Sequence, residues 1–121
     1  MYTKEQNAEI EKVCRVFADY IKENSYFDVV WSEKLGYIYL DAISPDKEDI
    51  DNEPIILRSG RVLCKEILHN IAGDVMEETG GDHETFSECT ETERKKVRKI
   101  LQPFMNQLSE YMALVEEIFK D

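Results

Sequence analysis

Apolar side chains recur along the final third of the chain at Val97, Leu101, Phe104, Leu108, Tyr111, Val115 and Ile118. Steps of four and three alternate through that run, which lays its members on one stripe of a helix. A second seam of Ile100, Met105, Met112 and Phe119 lies beside it. The joint face is wider than a two-stranded coiled coil needs, so the pattern predicts one long amphipathic helix, Thr90 to Phe119, walling a small core. Thr90 and Glu93 have capping-box spacing, in which each side chain satisfies an orphan amide at the helix start; Thr92 is an alternative cap. Pro103 interrupts the run. It has no N–H to donate and its ring crowds the carbonyl four residues back, so the helix either kinks there or ends near Leu101 and restarts. The stripe keeps its phase across the proline, which favours a kinked, continuous helix.

At the other end, Thr3 and Gln6 form a first capping box. The helix that follows runs to about Glu23, with Ile10, Val13, Cys14, Phe17, Tyr20 and Ile21 on one face. After Asn24–Ser25 the period changes to two. Phe27, Val29 and Trp31 alternate with Tyr26, Asp28 and Val30; beyond Gly36, Ile38, Leu40 and Ala42 alternate with Tyr37, Tyr39 and Asp41. Two such runs around a short loop closed by glycine predict a β-hairpin, Gly36 supplying the left-handed backbone. A hairpin alone is marginal, and Pro54-Ile55-Ile56-Leu57 is the natural third strand, its proline at the first position. Ser59 then caps a helix carrying Val62, Leu63, Ile67, Leu68, Ile71, Ala72, Val75 and Met76, which ends around Thr79 before Gly80–Gly81. Gly73, inside it, suits close approach by another element. The expected fold is α+β, in the order α-β-β-β-α-α. A small three-stranded antiparallel meander packs against three helices within a single domain, residues 1–121.

Composition narrows the class. Hydrophobic residues make up 42% of the 121, with 5 Gly and 3 Pro, enough apolar content for one core. No apolar run reaches membrane-spanning length, the N-terminus lacks a leader-like core, and three scattered cysteines imply no disulfide framework. These features point to the cytoplasm. The net charge of −11 is uneven: residues 44–57 hold five acids against Lys47 alone, residues 80–89 hold Asp82, Glu84 and Glu88, and residues 90–121 balance six with six. Such a field repels nucleic acid and anionic membranes and attracts a basic protein.

Candidate chemistry is sparse. Glu66 and His69 share a helix turn, but a di-iron bundle needs two such pairs and further glutamates, and His83 lies beyond the helix. Glu66, His69 and Asp74 or His83 therefore make a weak metal set. The run from Asp46 to Glu53 lacks the turn glycine and final glutamate of a calcium loop. His83 and Cys89 could pair as imidazole and thiol, yet their acidic surroundings oppose a thiolate. Cys14, in an apolar stripe, reads as a small buried hydrophobe. Arg94, Lys95, Lys96, Arg98 and Lys99 crowd the start of the last helix, against the helix dipole and against one another. Acidic segments 44–53 and 82–88, of the same chain or a second copy, are the expected counterweight.

The reading that results is a protein-binding module for a basic partner, inhibitor-, immunity- or chaperone-like, with no catalytic site, metal or cofactor. Tyr26, Tyr37 and Tyr39 are its expected outward anchors, and Asp28, Asp41, Asp46, Asp49 and Asp51 its steering charges. Its alternatives are a small metal or thiol enzyme built on Glu66, His69, His83 and Cys89, and a homodimer joined through the last helix.

Overall fold

Thr3 opens the first helix by the expected reciprocal cap. Its hydroxyl accepts from the Gln6 N–H at 3.1 Å, and the Gln6 side chain accepts from the Thr3 N–H at 2.8 Å. Helix α1 (Lys4–Val16) buries Ile10 and Val13; at Phe17 the backbone leaves helical angles and α2 (Ala18–Glu23) resumes. Phe17 still donates to the Val13 carbonyl and accepts from Ile21, so the single helix expected here is distorted at a buried aromatic. The computed structural model describes residues 3–23, 27–41, 55–80 and 85–120, with the Asp41 side chain outside the description. They fall into two compact units, Met1–Leu63 and Cys64–Asp121.

In the first unit, β1 (Phe27–Ser32) and β2 (Gly36–Asp41) form the expected hairpin, paired from Ser32–Gly36 to Phe27–Asp41. Gly36 takes a φ of 79°, the left-handed region that a Cβ disfavours, and Ser32 Oγ braces the loop by accepting from the Leu35 N–H at 3.1 Å. Strand β3 (Ile55–Ile56) pairs antiparallel with β2, giving the order β1-β2-β3. The meander and its association with the N-terminal helices make this an α+β fold.

Helix α3 (Gly60–Glu78) starts at Ser59, whose hydroxyl accepts from the Val62 N–H at 3.2 Å. It ends at Gly80, where φ is 70°. Gly73 does not serve a close approach among the described residues: a Cβ there would have no neighbour within 4 Å.

In the second unit, α4 (Glu91–Met105) has the predicted Thr90–Glu93 capping box and contains Pro103. The expected single helix to Phe119 is not formed. Two residues past the proline the chain tightens to three-residue steps, Gln107 N–H to Phe104 and Leu108 N–H to Met105. A 3-10 turn (Ser109–Tyr111) and the short α5 (Leu114–Ile118) follow. Proline withholds one helical hydrogen bond close to the helix end, where few later bonds remain to compensate. Val97, Leu101, Leu108, Val115 and Ile118 are buried all the same. Steps of three and four suit 3-10 and α-turns alike, so the apolar phase survives the loss of the helix.

Candidate protein-binding surface

Directly paired residues of an antiparallel hairpin share a face, and here odd-numbered residues pair with odd. Phe27, Val29, Trp31, Tyr37, Tyr39 and, through β3, Ile55 therefore stand on one face; Asp28, Val30, Ile38, Leu40 and Ile56 stand on the other. The expected anchor set is thereby divided. Asp28 lies on the face opposite Tyr37 and Tyr39.

The tyrosine face is also the helical side. Phe27 packs between Tyr20 of α2, at 6.0 Å between ring centroids, and Tyr39, at 5.0 Å. Tyr39 is 2% exposed. It is a core residue, and the outward role expected of it is corrected: stacking on Phe27 draws it inward. Tyr37 is half-buried, and its hydroxyl donates to Glu11 of α1 at 3.0 Å. Burial first, and then that carboxylate, raise the Tyr37 pKa, so the phenol is a fixed neutral donor. Tyr26, Asp46, Asp49, Asp51 and the Asp41 side chain lie outside the described residues.

Burial tapers along β1 from Phe27, fully enclosed, to Trp31, 53% exposed. Trp31 meets Tyr37 edge to face at 4.9 Å, and Leu35 on the adjoining loop is exposed. The Trp–Tyr pair at the far end of the hairpin, with the Tyr37 hydroxyl held by Glu11, presents an exposed amphipathic aromatic surface. The alternating pattern places Trp31 on one side of the strand with Phe27 and Val29 and does not mark it as exposed. A three-residue loop that keeps odd opposite odd, and Trp31 only one residue from the strand end, were the signals for it.

The cationic cluster on α4 finds partners in its own unit. Arg98 bridges Glu116 at 2.8 Å and Glu91 at 3.2 Å, and Lys96 pairs with Glu78 at 3.3 Å. Arg94 donates to the carbonyls of Cys89 and Ser87. Both arginines lie over the Phe119 ring, 5.1 and 5.3 Å from its centroid. The Arg98 hydrogen bond holds the Glu116 carboxyl below its ordinary pKa. Among the described residues Lys95 and Lys99 form no ion pair. The carboxylates these cations meet among the described residues include Glu78, Glu91 and Glu116, while the expected counterweights at 44–53 and 82–84 lie outside the described residues. Beside Arg98 and Glu116, a pocket of about 270 Å³ opens over Leu101, Met105, Met112 and Val115. It falls just short of the usual size for small-molecule sites, about 300 Å³ and above.

The residues singled out for catalysis are occupied otherwise. His69 stacks flat on Phe86, ring centroids 5.2 Å apart, while His83 lies outside the described residues. Cys89 is buried; burial, then Glu93, raises its thiol pKa. Burial pushes Cys14 up to about 11 and Cys64 up to about 12. Each thiol favours its protonated, unreactive form. Among the described residues no three His, Cys, Asp or Glu side chains gather as a metal set, Glu66 and Asp74 included. No helix there is long and apolar enough to cross a membrane.

Compared with known proteins, the chain matches no family model, no curated protein and no solved structure.

Proposed function

We propose that this chain is a non-enzymatic binding module for a basic protein, with Trp31 and Tyr37 at the end of the hairpin as its anchor. The observation that carries the reading is the pairing of Trp31, 53% exposed, with a tyrosine whose hydroxyl is fixed by Glu11. Tryptophan and tyrosine offer large contact area with only two side-chain torsions to fix on binding, and both are enriched among hot spots. The surplus of acid, 26 Asp and Glu against 15 Lys and Arg, steers cationic partners toward the molecule and repels nucleic acid. An inhibitor, immunity protein or chaperone working in the cytoplasm fits that physics. The thiol alternative is disfavoured by the raised pKa values of Cys14, Cys64 and Cys89.

The test is affinity purification from native lysate with the wild type and with Trp31→Ala, at about 50 and about 500 mM salt, the outer limits across which exposed charge pairs become screened. A basic protein should be recovered at low salt by the wild type and depleted both by the substitution and by high salt. Recovery of no basic protein, or equal recovery by Trp31→Ala, defeats the reading.

A further inference from the structure

The hairpin's outer edge says how such a partner would be held. In an antiparallel ladder both backbone groups of a residue point to the same side, alternating along the strand. Leu57 N–H donates to the Tyr37 carbonyl at 3.0 Å, so Tyr37, and Tyr39 two residues on, direct their backbone groups to β3. Their hairpin partners Trp31 and Val29, and Phe27 beyond, therefore direct theirs away from β2. The Val29 N–H agrees: it donates to the Asp28 carboxylate at 2.9 Å. Among the described residues β1 is one of the two end strands of the sheet, and nothing pairs with its other side.

We infer, building on the binding reading above, that this edge of β1 takes up an extended, cationic segment of the partner protein as a fourth strand. The Trp31 N–H and carbonyl and the Val29 carbonyl form the ladder, the Val29 N–H staying with Asp28 and Phe27 being enclosed, and Trp31 covers the incoming strand's side chains. Strand addition of this kind draws affinity from main-chain bonds and specificity from alternate side chains. Charge selects the occupant. Residues 1–63 hold thirteen acids against eight bases, and one carboxylate, Asp28, sits on the edge itself. A second copy of this chain brings another −11 and another Asp28 into the same ladder, which like-charge repulsion opposes. A lysine- or arginine-bearing strand meets that carboxylate favourably.

The isotope-labelled full chain is titrated with a six-residue peptide of alternating lysine and valine. Two controls accompany it: the same peptide N-methylated on its ladder-facing amides, and a glutamate-for-lysine version. The lysine peptide should shift the amide resonances of Val29 and Trp31 and slow hydrogen exchange at Trp31 about tenfold. Both control peptides, and Asp28→Lys against the lysine peptide, should bind about tenfold more weakly, with the far-ultraviolet spectrum of the variant unchanged. Equal binding by the N-methylated peptide, or shifts located elsewhere, overturns the inference. So does protection of the Trp31 amide in the free protein, which, if it grows with concentration, identifies a second copy as the occupant. In the lysate experiment, a basic partner lost with Trp31→Ala but retained by Val29→Pro overturns strand addition and leaves the binding reading standing.

Discussion

Glu93 shows how one residue can do two jobs. Its Oε1 accepts from the Thr90 N–H at 2.9 Å, completing the cap, while its Oε2 accepts from the Thr79 hydroxyl at 3.1 Å, tying the end of α3 to the start of α4. It is 5% exposed, so both bonds act where water competes poorly. Glu93→Ala is expected to cost about 1 kcal/mol, chiefly from the lost cap, since the Thr79 hydroxyl keeps the Met76 carbonyl at 3.0 Å as an acceptor; it is read as a lower urea midpoint at unchanged slope. The capping half of this was legible from Thr90-x-x-Glu93; the bond to Thr79 was not, because it spans fourteen positions of chain. The thiols carry a second prediction. Cys64 ionises near its ordinary 9.0 when unfolded but only at about 12 when folded. Below pH 9 both states keep the proton and stability is whole; between pH 9 and about 12 the unfolded thiol ionises first and the fold loses stability. Cys64→Ala should flatten that alkaline decline, and at pH 8 native Cys64 should resist iodoacetamide until urea exposes it. Rapid labelling of the native protein would contradict the burial that raises the pKa.

Among the elements, two glycines that look alike in sequence have opposite effects. Gly36 holds a φ of 79° at the hairpin loop, so Gly36→Ala is expected to destabilise by about 1–2 kcal/mol. Gly73 sits in helical backbone within α3, where a Cβ meets no neighbour within 4 Å; Gly73→Ala should stabilise by about 0.5–1 kcal/mol. Thermal unfolding of the two variants beside the wild type checks both signs at once. Element existence was well signalled, because caps at Thr3, Ser59 and Thr90 and the glycines at 36 and 80 act through neighbours a few positions away. Element extent was harder. Helix α4 stops at Met105, two residues past Pro103, although the apolar phase runs on, since the same three- and four-residue steps serve a broken helix as well as a whole one. The faces of the hairpin were harder still. Alternation gives two sides to each strand, yet only the register, set by the loop, says which side of β1 lies with which side of β2. That is why Tyr39, expected to face outward, lies instead in the core on the same face as Phe27.

For the molecule as a whole, the balance of charge decides how it behaves in solution. A net −11 on 121 residues is self-repulsive, and added salt weakens that repulsion over a screening length of about 10 Å at 0.1 M. The ion pairs that salt also weakens, Arg98 with Glu91 and Glu116 and Lys96 with Glu78, are exposed and are worth at most about 1 kcal/mol each. Relief of a repulsion spread over the whole chain should therefore win, and the melting temperature should rise by about 2–5 °C between low and physiological salt. The same charge bears on self-association. Most of the stripe once available to a helix-mediated dimer, Val97, Leu101, Leu108, Val115 and Ile118, is buried within one chain, leaving Ile100 and Met112 as its exposed apolar members. Two exposed side chains offer far less than the roughly 800 Å² per partner of a specific interface, and each copy adds its own repulsion. Light scattering is expected to give a mass near 14.2 kDa at low and at high salt alike. A mass that doubles as salt rises would show that repulsion alone had been keeping two copies apart, and would return the final segment to the role of an interface.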